Sequence, residues 1–205
     1  MEASGPAAAI LLASGFSTRF GERNKLLAPF RAKPLARYTL ELAVGMDFPE
    51  GIFFVAASDE VAALAKDLPK VTVVRNTSPE KGLRESVRLG VEAAGMGAAY
   101  YLFFPCDQPF LDAGTVREIL AAGKAGCIVE PRYRGRPGNP CLFSAAFREE
   151  LISLGEGETP RLIKTKNPEA LRGVEVSNPL VLRDIDDEET FKQLSTVSSN
   201  PPRSS

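Results

Sequence analysis

The chain has 205 residues, of which 44% are apolar and 25% charged, with a formal net charge of −1 and no histidine. This composition suits a globular protein and leaves no basic excess to favour nucleic acid or an anionic membrane. The missing histidine excludes Ser-His-Asp triads, imidazole acid–base catalysis and histidine metal ligands together. In chain order, Ala7–Leu12 is a short apolar run that reads as a buried strand, and a Gly/Ser loop follows from Ser14 to about Lys25. Leu35–Val44 reads as a helix placed after Pro34 and stopped near Gly45. Ile52–Ala57 is the next strand, and Ser58 or Asp59 caps a helix that runs to Lys66 and is closed off by Pro69. Val71–Arg75 is a third strand. Leu83–Ala94 is an amphipathic helix with Leu83, Val87, Val91 and Ala94 on one face. Tyr100–Phe104 is a strand cut by Pro105. Asp112 or Thr115 starts a helix that points Val116, Ile119 and Leu120 inward, and Cys127–Arg132 is a further strand.

After Tyr133 the pattern loosens. Arg134–Pro140 is a Gly/Pro-rich loop, Cys141–Phe143 a short strand, and Ser144 caps a helix through Leu154. Thr159-Pro160 opens another helix, with proline at its first position. Val174–Ser177 and Leu180–Leu182 read as short strands, and Asp187–Leu194 as the last helix. Alternating strands and helices imply an α/β fold of three layers, a mainly parallel twisted sheet with helices on both faces. Residues 1–195 are expected to form one domain, and 196–205 a disordered Ser/Pro tail. No apolar run approaches the roughly 20 residues of a membrane span, and no secretion signal is visible at the N-terminus. Cys106, Cys127 and Cys141 form no CxxC pair, which argues against a disulfide framework or a zinc site. A cytoplasmic location is therefore expected.

Without histidine, chemistry must rest on carboxylates, lysine, arginine, hydroxyls, backbone amides or thiols. That inventory suits metal-assisted phosphoryl chemistry, where positioning and charge neutralisation dominate. The segment Leu12-Ala13-Ser14-Gly15-Phe16-Ser17-Thr18-Arg19-Phe20-Gly21, with Lys25 four residues on, can turn backbone amides toward an anion and adds two hydroxyls and two cations. It lacks the Gly-Lys-Ser/Thr of a P-loop and the GxGxxG of a dinucleotide fold. An ordinary turn with solvated Arg and Lys would look the same. In Pro105-Cys106-Asp107-Gln108-Pro109, an aspartate follows an apolar strand and stands at the sheet's carboxyl edge, where it can hold Mg²⁺ or merely cap a turn. Cys106 reads as a small core residue. From Asp184 to Glu189 five of six residues are acidic, which serves a helix N-cap and equally a second carboxylate for a metal.

These segments together resemble the MobA-like nucleotidyltransferases over about Ala7 to Leu194. Leu12 to Lys25 is similar to the LAxGxSxRxGxxK signature of enzymes that activate molybdopterin, sugar phosphates or methylerythritol phosphate. Asp-Gln-Pro and Asp184-Ile185-Asp186 are most like the molybdenum cofactor cytidylyltransferases. The resemblance implies a donor triphosphate wrapped by Leu12, Ala13, Ser14, Gly15, Ser17 and Thr18, with Arg19 and Lys25 neutralising it as catalytic cations. It implies Mg²⁺ on the catalytic Asp107 and on Asp186. Gly82-Leu83-Arg84-Glu85-Ser86 resembles the GMxSS segment that borders the nucleotide, with Gly82 and Ser86 matching and Arg84 and Glu85 departing. Gly135-Arg136-Pro137-Gly138-Asn139-Pro140 resembles the acceptor loop GxPGHP, so Gly138, Asn139 and Pro140 are expected to face the acceptor, with Asn139 in place of histidine. Gly155-Glu156-Gly157-Glu158 and Arg161 are similar, with changes, to the GDxGAR turn of that branch.

The function so implied is transfer of a nucleoside monophosphate from CTP to molybdopterin with release of pyrophosphate. A guanylyltransferase or sugar-phosphate nucleotidyltransferase of the same fold is the nearest rival, and a non-catalytic nucleotide or cofactor carrier or an interaction domain the more distant ones. The expected partners are a nucleoside triphosphate, a small phosphorylated acceptor, and a molybdoenzyme or its chaperone. Neither nucleic acid nor membrane is expected.

Overall fold

A computed structural model of the chain describes residues 5–15, 20 and 24–196; the predicted site residues Ser17, Thr18 and Arg19, and the tail 197–205, lie outside the described residues. In order, the elements are β1 (Ala7–Ala13), the hairpin β2 (Pro29–Phe30) and β3 (Lys33–Pro34), α1 (Leu35–Val44), β4 (Ile52–Ala56), α2 (Asp59–Ala62) and β5 (Val71–Arg75). Then come α3 (Leu83–Ala94), β6 (Tyr100–Pro105), α4 (Ala113–Ala121), β7 (Ile128–Tyr133), β8 (Arg136–Pro137) and β9 (Cys141–Ser144). The last are α5 (Arg148–Ile152), α6 (Pro160–Lys166), β10 (Leu171–Glu175) and α7 (Glu188–Ser195).

The main sheet runs β10-β7-β9-β6-β1-β4-β5, with β8 added to β7. β1 pairs in parallel with both β4 and β6, β4 with β5, and β7 with β10. β9 runs antiparallel to both of its neighbours, β6 and β7. β1 is apolar throughout because its two faces feed two cores. Ala9, Leu11 and Ala13 pack with Leu40 of α1, Val61 of α2 and Val116 of α4. Ala8 and Ile10 pack with Val87 of α3, Leu151 of α5 and Ile163 of α6. Helices therefore cover both faces, as the alternating pattern predicts. α3 lies close on β1 because residue 90 is glycine: a Cβ there would sit 2.3 Å from Ile10 Cγ2. Ser58, Asp112 and Asp187 cap their helices, each accepting a hydrogen bond from the backbone N–H three residues on. Among the described residues, no helix is long and apolar enough to cross a membrane.

Several expected elements come out differently. The helix after Ser58 is α-helical only to Ala62 and continues as a 3₁₀ turn, Ala63–Ala65, where the chain tightens toward Pro69. After Ser144 the chain makes a 3₁₀ turn, Ala145–Phe147, before α5, which stops at Ile152; Ser153 Oγ turns back to Glu149 O, competing with continuation to Leu154. The strand expected at Val174–Ser177 is instead Leu171–Glu175, a half-exposed strand whose backbone pairing with β7 starts at Leu171, ahead of the expected segment. Leu180–Leu182 is no strand but part of a 3₁₀ turn, Pro179–Leu182, opened by Asn178 Oδ1 accepting from Leu180 N. Leu83, expected on the buried face of α3, is 44% exposed and borders a cavity.

Candidate functional site

β1 has β4 on one side and β6 on the other, so the order of strands reverses between β1 and β6. Open α/β sheets bind ligands outside the carboxyl ends of strands at such a point. The register pairs Leu12 with Pro105, so the two strands end level. Ser14 and Gly15 leave β1 there, and Cys106 and Asp107 leave β6. Above them lies a cavity of about 750 Å³, bordered by Gly15, Gly82, Asp107 and Asn139 among others. That is room for a nucleotide-sized ligand.

One end of the cavity is built around an ammonium. Lys25 starts a short 3₁₀ turn, Lys25–Leu27, that Asn24 caps by accepting from Leu26 N. Its Nζ donates to Asp107 Oδ2 at 2.6 Å, to Asp186 Oδ1 at 3.1 Å and to Ile185 O at 2.8 Å. Ile185 is fully buried, and its N–H donates to Asp107 O at 3.0 Å, which fixes the end of the chain against the end of β6. Two carboxylates from distant motifs thus meet on one cation that lines the same cavity as Ser14 and Gly15. Burial opposes the charge of Lys25, but Asp107 and Asp186 outweigh it and hold its pKa above the usual lysine value.

Asp107 Oδ1 is buried and has no hydrogen-bond partner among the described residues. Buried carboxylate oxygens are normally satisfied, so this one marks room for a donor or a cation. Asp184 stands behind it, its Oδ1 accepting from Gln108 Nε2 at 2.7 Å. Burial first, and then the neighbouring Asp107 charge, push its pKa up to about 6. Among the described residues no group of three or more His, Cys, Asp or Glu is disposed to hold a metal. Asp107 and Asp186 are what the chain offers, and a hard cation such as Mg²⁺ typically takes one or two carboxylates plus phosphate oxygens. The donor set fits such an ion.

The other expected site residues divide. Leu12, Ser14, Gly15, Gly82 and Ser86 line the cavity. Two of their hydroxyls are engaged by the scaffold: Ser14 Oγ donates to Val55 O at 3.1 Å, and Ser86 Oγ accepts from Asn76 Nδ2 at 3.1 Å. Ala13 does not line it; its side chain is buried in the core, because it points to the α1 face of β1. Asn139 lines the cavity, whereas Gly138 packs on Leu182 and Pro140 is buried, so two of the three acceptor-loop residues do not reach it. Cys106 is buried as expected, and burial, with Asp107 next to it, pushes its thiol well above the usual range, which leaves it inert.

Sequence reading passed over Asp184 and Gln108 as partners, and over Lys164, Cys141 and Thr159, which line the same cavity. Lys164 pairs with Glu130, and Glu130 carries the one available signal, an acid inside the apolar run Cys127–Pro131.

Residues 9–170 match the family of the MobA-like NTP transferase domain. A curated protein of Thermococcus gammatolerans, named Probable molybdenum cofactor guanylyltransferase, is 32% identical over 165 residues, covering 77% of this chain and 82% of that protein. The Bifunctional protein GlmU of Gluconacetobacter diazotrophicus is 29% identical over 144 residues, 65% of this chain; the match spans only 30% of GlmU's own length. Among solved structures, Rv0371c of Mycobacterium tuberculosis H37Rv, in complex with manganese, aligns with a TM-score of 0.74 at 24% identity, covering 92% of this chain and 97% of that one. At that identity the likeness speaks for the fold.

Proposed function

This chain belongs to the MobA-like NTP transferase family, and from that premise we propose that it moves a nucleoside monophosphate from a nucleoside triphosphate to a small phosphorylated acceptor. The observation that carries the reading is the meeting of Asp107 and Asp186 on Lys25 at the end of β1 and β6. Gly15 and the turn after β1 receive the triphosphate, and Lys25, with Arg19, neutralises it. Asp107 and Asp186 hold Mg²⁺, which when bound stabilises charge on the reacting phosphates. An oxygen of the acceptor's phosphate attacks the donor's α-phosphorus. The bond from that phosphorus to the β-phosphate oxygen breaks, and pyrophosphate leaves with the electron pair. The nucleophile is already an anion, so no protein base is required, in keeping with a histidine-free chain.

The preferred donor is CTP and the preferred acceptor molybdopterin. The Asp107-Gln108-Pro109 and Asp184-Ile185-Asp186 segments, with their cytidylyltransferase character, support this choice. GTP is the second reading, favoured by the guanylyltransferase name of the Thermococcus relative. Gly82 and Ser86 border the base and sugar, and Asn139 faces the acceptor. Three buried free thiols are at home in a reducing cytoplasm, where the product would pass to a molybdoenzyme or its chaperone.

The test is pyrophosphate release from CTP, GTP, ATP and UTP with Mg²⁺ and molybdopterin. Release with CTP is expected. Release with GTP alone moves the base choice to the second reading. Thermal stabilisation by nucleotide without any pyrophosphate would overturn nucleotidyl transfer in favour of a carrier.

A further inference from the structure

The cavity wall made by β7, β9 and α6 carries a second charged group. Glu130 lies on β7 within four consecutive buried residues, and its side chain is only 3% exposed. Acids are almost never buried so deeply unless paired. Glu130 is paired twice. Arg132 Nε donates to Oε1 at 3.1 Å, and Lys164 Nζ donates to Oε2 at 2.9 Å. The neighbouring strand makes room for the first of these cations. Gly173 of β10 is the register partner of Glu130, and a Cβ there would come within 2.7 Å of Arg132 Cδ. One carboxylate therefore serves two cations, and the group keeps a surplus positive charge.

That surplus is presented to the cavity by Lys164, which lines it. An ammonium has three donors, and Glu130 satisfies one of them well. Among the described residues, Nζ also donates to Cys141 Sγ at 3.7 Å, a weak acceptor. Burial pushes that thiol's pKa up to about 11, so it offers no thiolate to hold the ammonium. Arg161, three residues earlier on α6 and so on the same side of the helix, borders the same cavity, as does Asn139. A polar rim with excess positive charge and a spare donor invites an anion.

We infer that Lys164, aimed by Glu130, binds the phosphate group of the acceptor and so selects phosphorylated acceptors. The inference rests on the nucleotidyl-transfer reading. Around Lys25 two carboxylates and a triphosphate repel any incoming anion, and a fixed cation bordering the same cavity offsets that repulsion. Glu130 is a positioning residue: without it the lysine stem is free to swing toward solvent or toward the acidic end.

Phenyl phosphate serves as the probe, titrated against the full chain with and without a non-hydrolysable CTP analogue and Mg²⁺. The analogue itself is titrated separately. Saturable, salt-sensitive binding of phenyl phosphate is expected. Lys164→Gln should weaken it at least ~10-fold, the usual worth of a charge-assisted contact. It should also flatten the dependence on KCl, which a merely structural change would not do. Lys164→Arg should recover most of the binding, and Glu130→Gln should weaken it while leaving the analogue's affinity within about twofold, since neither group touches the donor. Equal affinity in the wild type and Lys164→Gln, or no binding of phenyl phosphate to the wild type, would overturn the inference. Failure of the CTP analogue and of its GTP counterpart to bind would instead sink the nucleotidyl-transfer reading, and is read in its own titration.

Discussion

The two lysines of the cavity are built to opposite ratios. At Lys25, one ammonium stands between two carboxylates, Asp107 and Asp186. At Lys164, one carboxylate, Glu130, stands between two cations. Each is a lysine in an ion pair, yet the first group has negative charge to spare and the second positive. The difference teaches that the number of partners, rather than the residue type, sets what charge a site still seeks. The acidic end can accept a cation without losing its fold, and the basic end can accept an anion. Their burial differs too. Asp186 is 54% exposed, so its contact with Lys25 is screened and easily exchanged. Glu130 is closed off, and its contacts hold the scaffold as well as the charge.

Removing the acidic end should have the largest effect. Asp107→Asn should lower pyrophosphate release by about 10²–10³-fold, the usual loss when a charge-stabilising group is deleted from a transfer site. The unfolding midpoint should move little, since Oδ1 holds no partner among the described residues and Oδ2 meets an ammonium that keeps Asp186 and Ile185 O. A variant with nearly full turnover would end the assignment. The basic end should answer in stability instead. Glu130→Gln leaves two cations without their shared charge and should cost about 3 kcal/mol in denaturant unfolding. The double variant Glu130→Val with Lys164→Met should recover most of that stability, because apolar replacements of a buried pair are often neutral, and still fail to bind phenyl phosphate. If the double variant binds it, the two ends are not the opposites drawn above.

A subtler test separates the lysine from the cation at the acidic end. Both address the carboxylates of Asp107 and Asp186, so in the nucleotide-free protein they compete. Lys25→Met should tighten Mn²⁺ binding by about tenfold, the order of one exposed charge pair in competition, while turnover falls because the triphosphate loses its cation. Weaker Mn²⁺ binding in this variant, followed by the spin resonance of free Mn²⁺, would mean the two cations do not share a place.

How much of this was legible follows from what each residue does locally. β5, α1 and α3 stand where apolar runs and Gly/Pro punctuation put them. Lys25, Asp107 and Asp186 are visible as short polar segments at the ends of apolar ones, and their resemblance to known motifs supplied the pairing that spacing could not. The direction of β9 was not legible, because four buried residues carry no mark of parallel or antiparallel pairing. β10 was misplaced because strand pairing, and not alternation, decides a half-exposed strand. Lys164 is an ordinary lysine in a short helix until β7 folds beneath it. Ser17, Thr18 and Arg19 fall outside the described residues, so the loop's hydroxyls and its arginine stand as sequence expectations.

The smallest expected effect concerns Asp184, behind the acidic end. In the folded chain its pKa is raised from 3.8 to about 6, by burial first and by Asp107 second, against the hydrogen bond from Gln108. A raised acid binds its proton more tightly when folded than when unfolded. Its contribution is therefore favourable below the unfolded value, and is lost as the pH climbs from about 4 through about 6. Above that window, the charged form is held at a cost. Asp184→Asn keeps an oxygen for Gln108 Nε2 and removes the charge. The variant should therefore melt higher than the wild type at pH 8 in the absence of metal, and the gap should narrow to about half at pH 5. Added Mg²⁺ should shrink the gap at pH 8, since a cation on Asp107 and Asp186 offsets the crowding that raises Asp184. A gap of the same size at both pH values would show that the substitution acts by packing alone, and the acidic end would then be less charged than its three carboxylates imply.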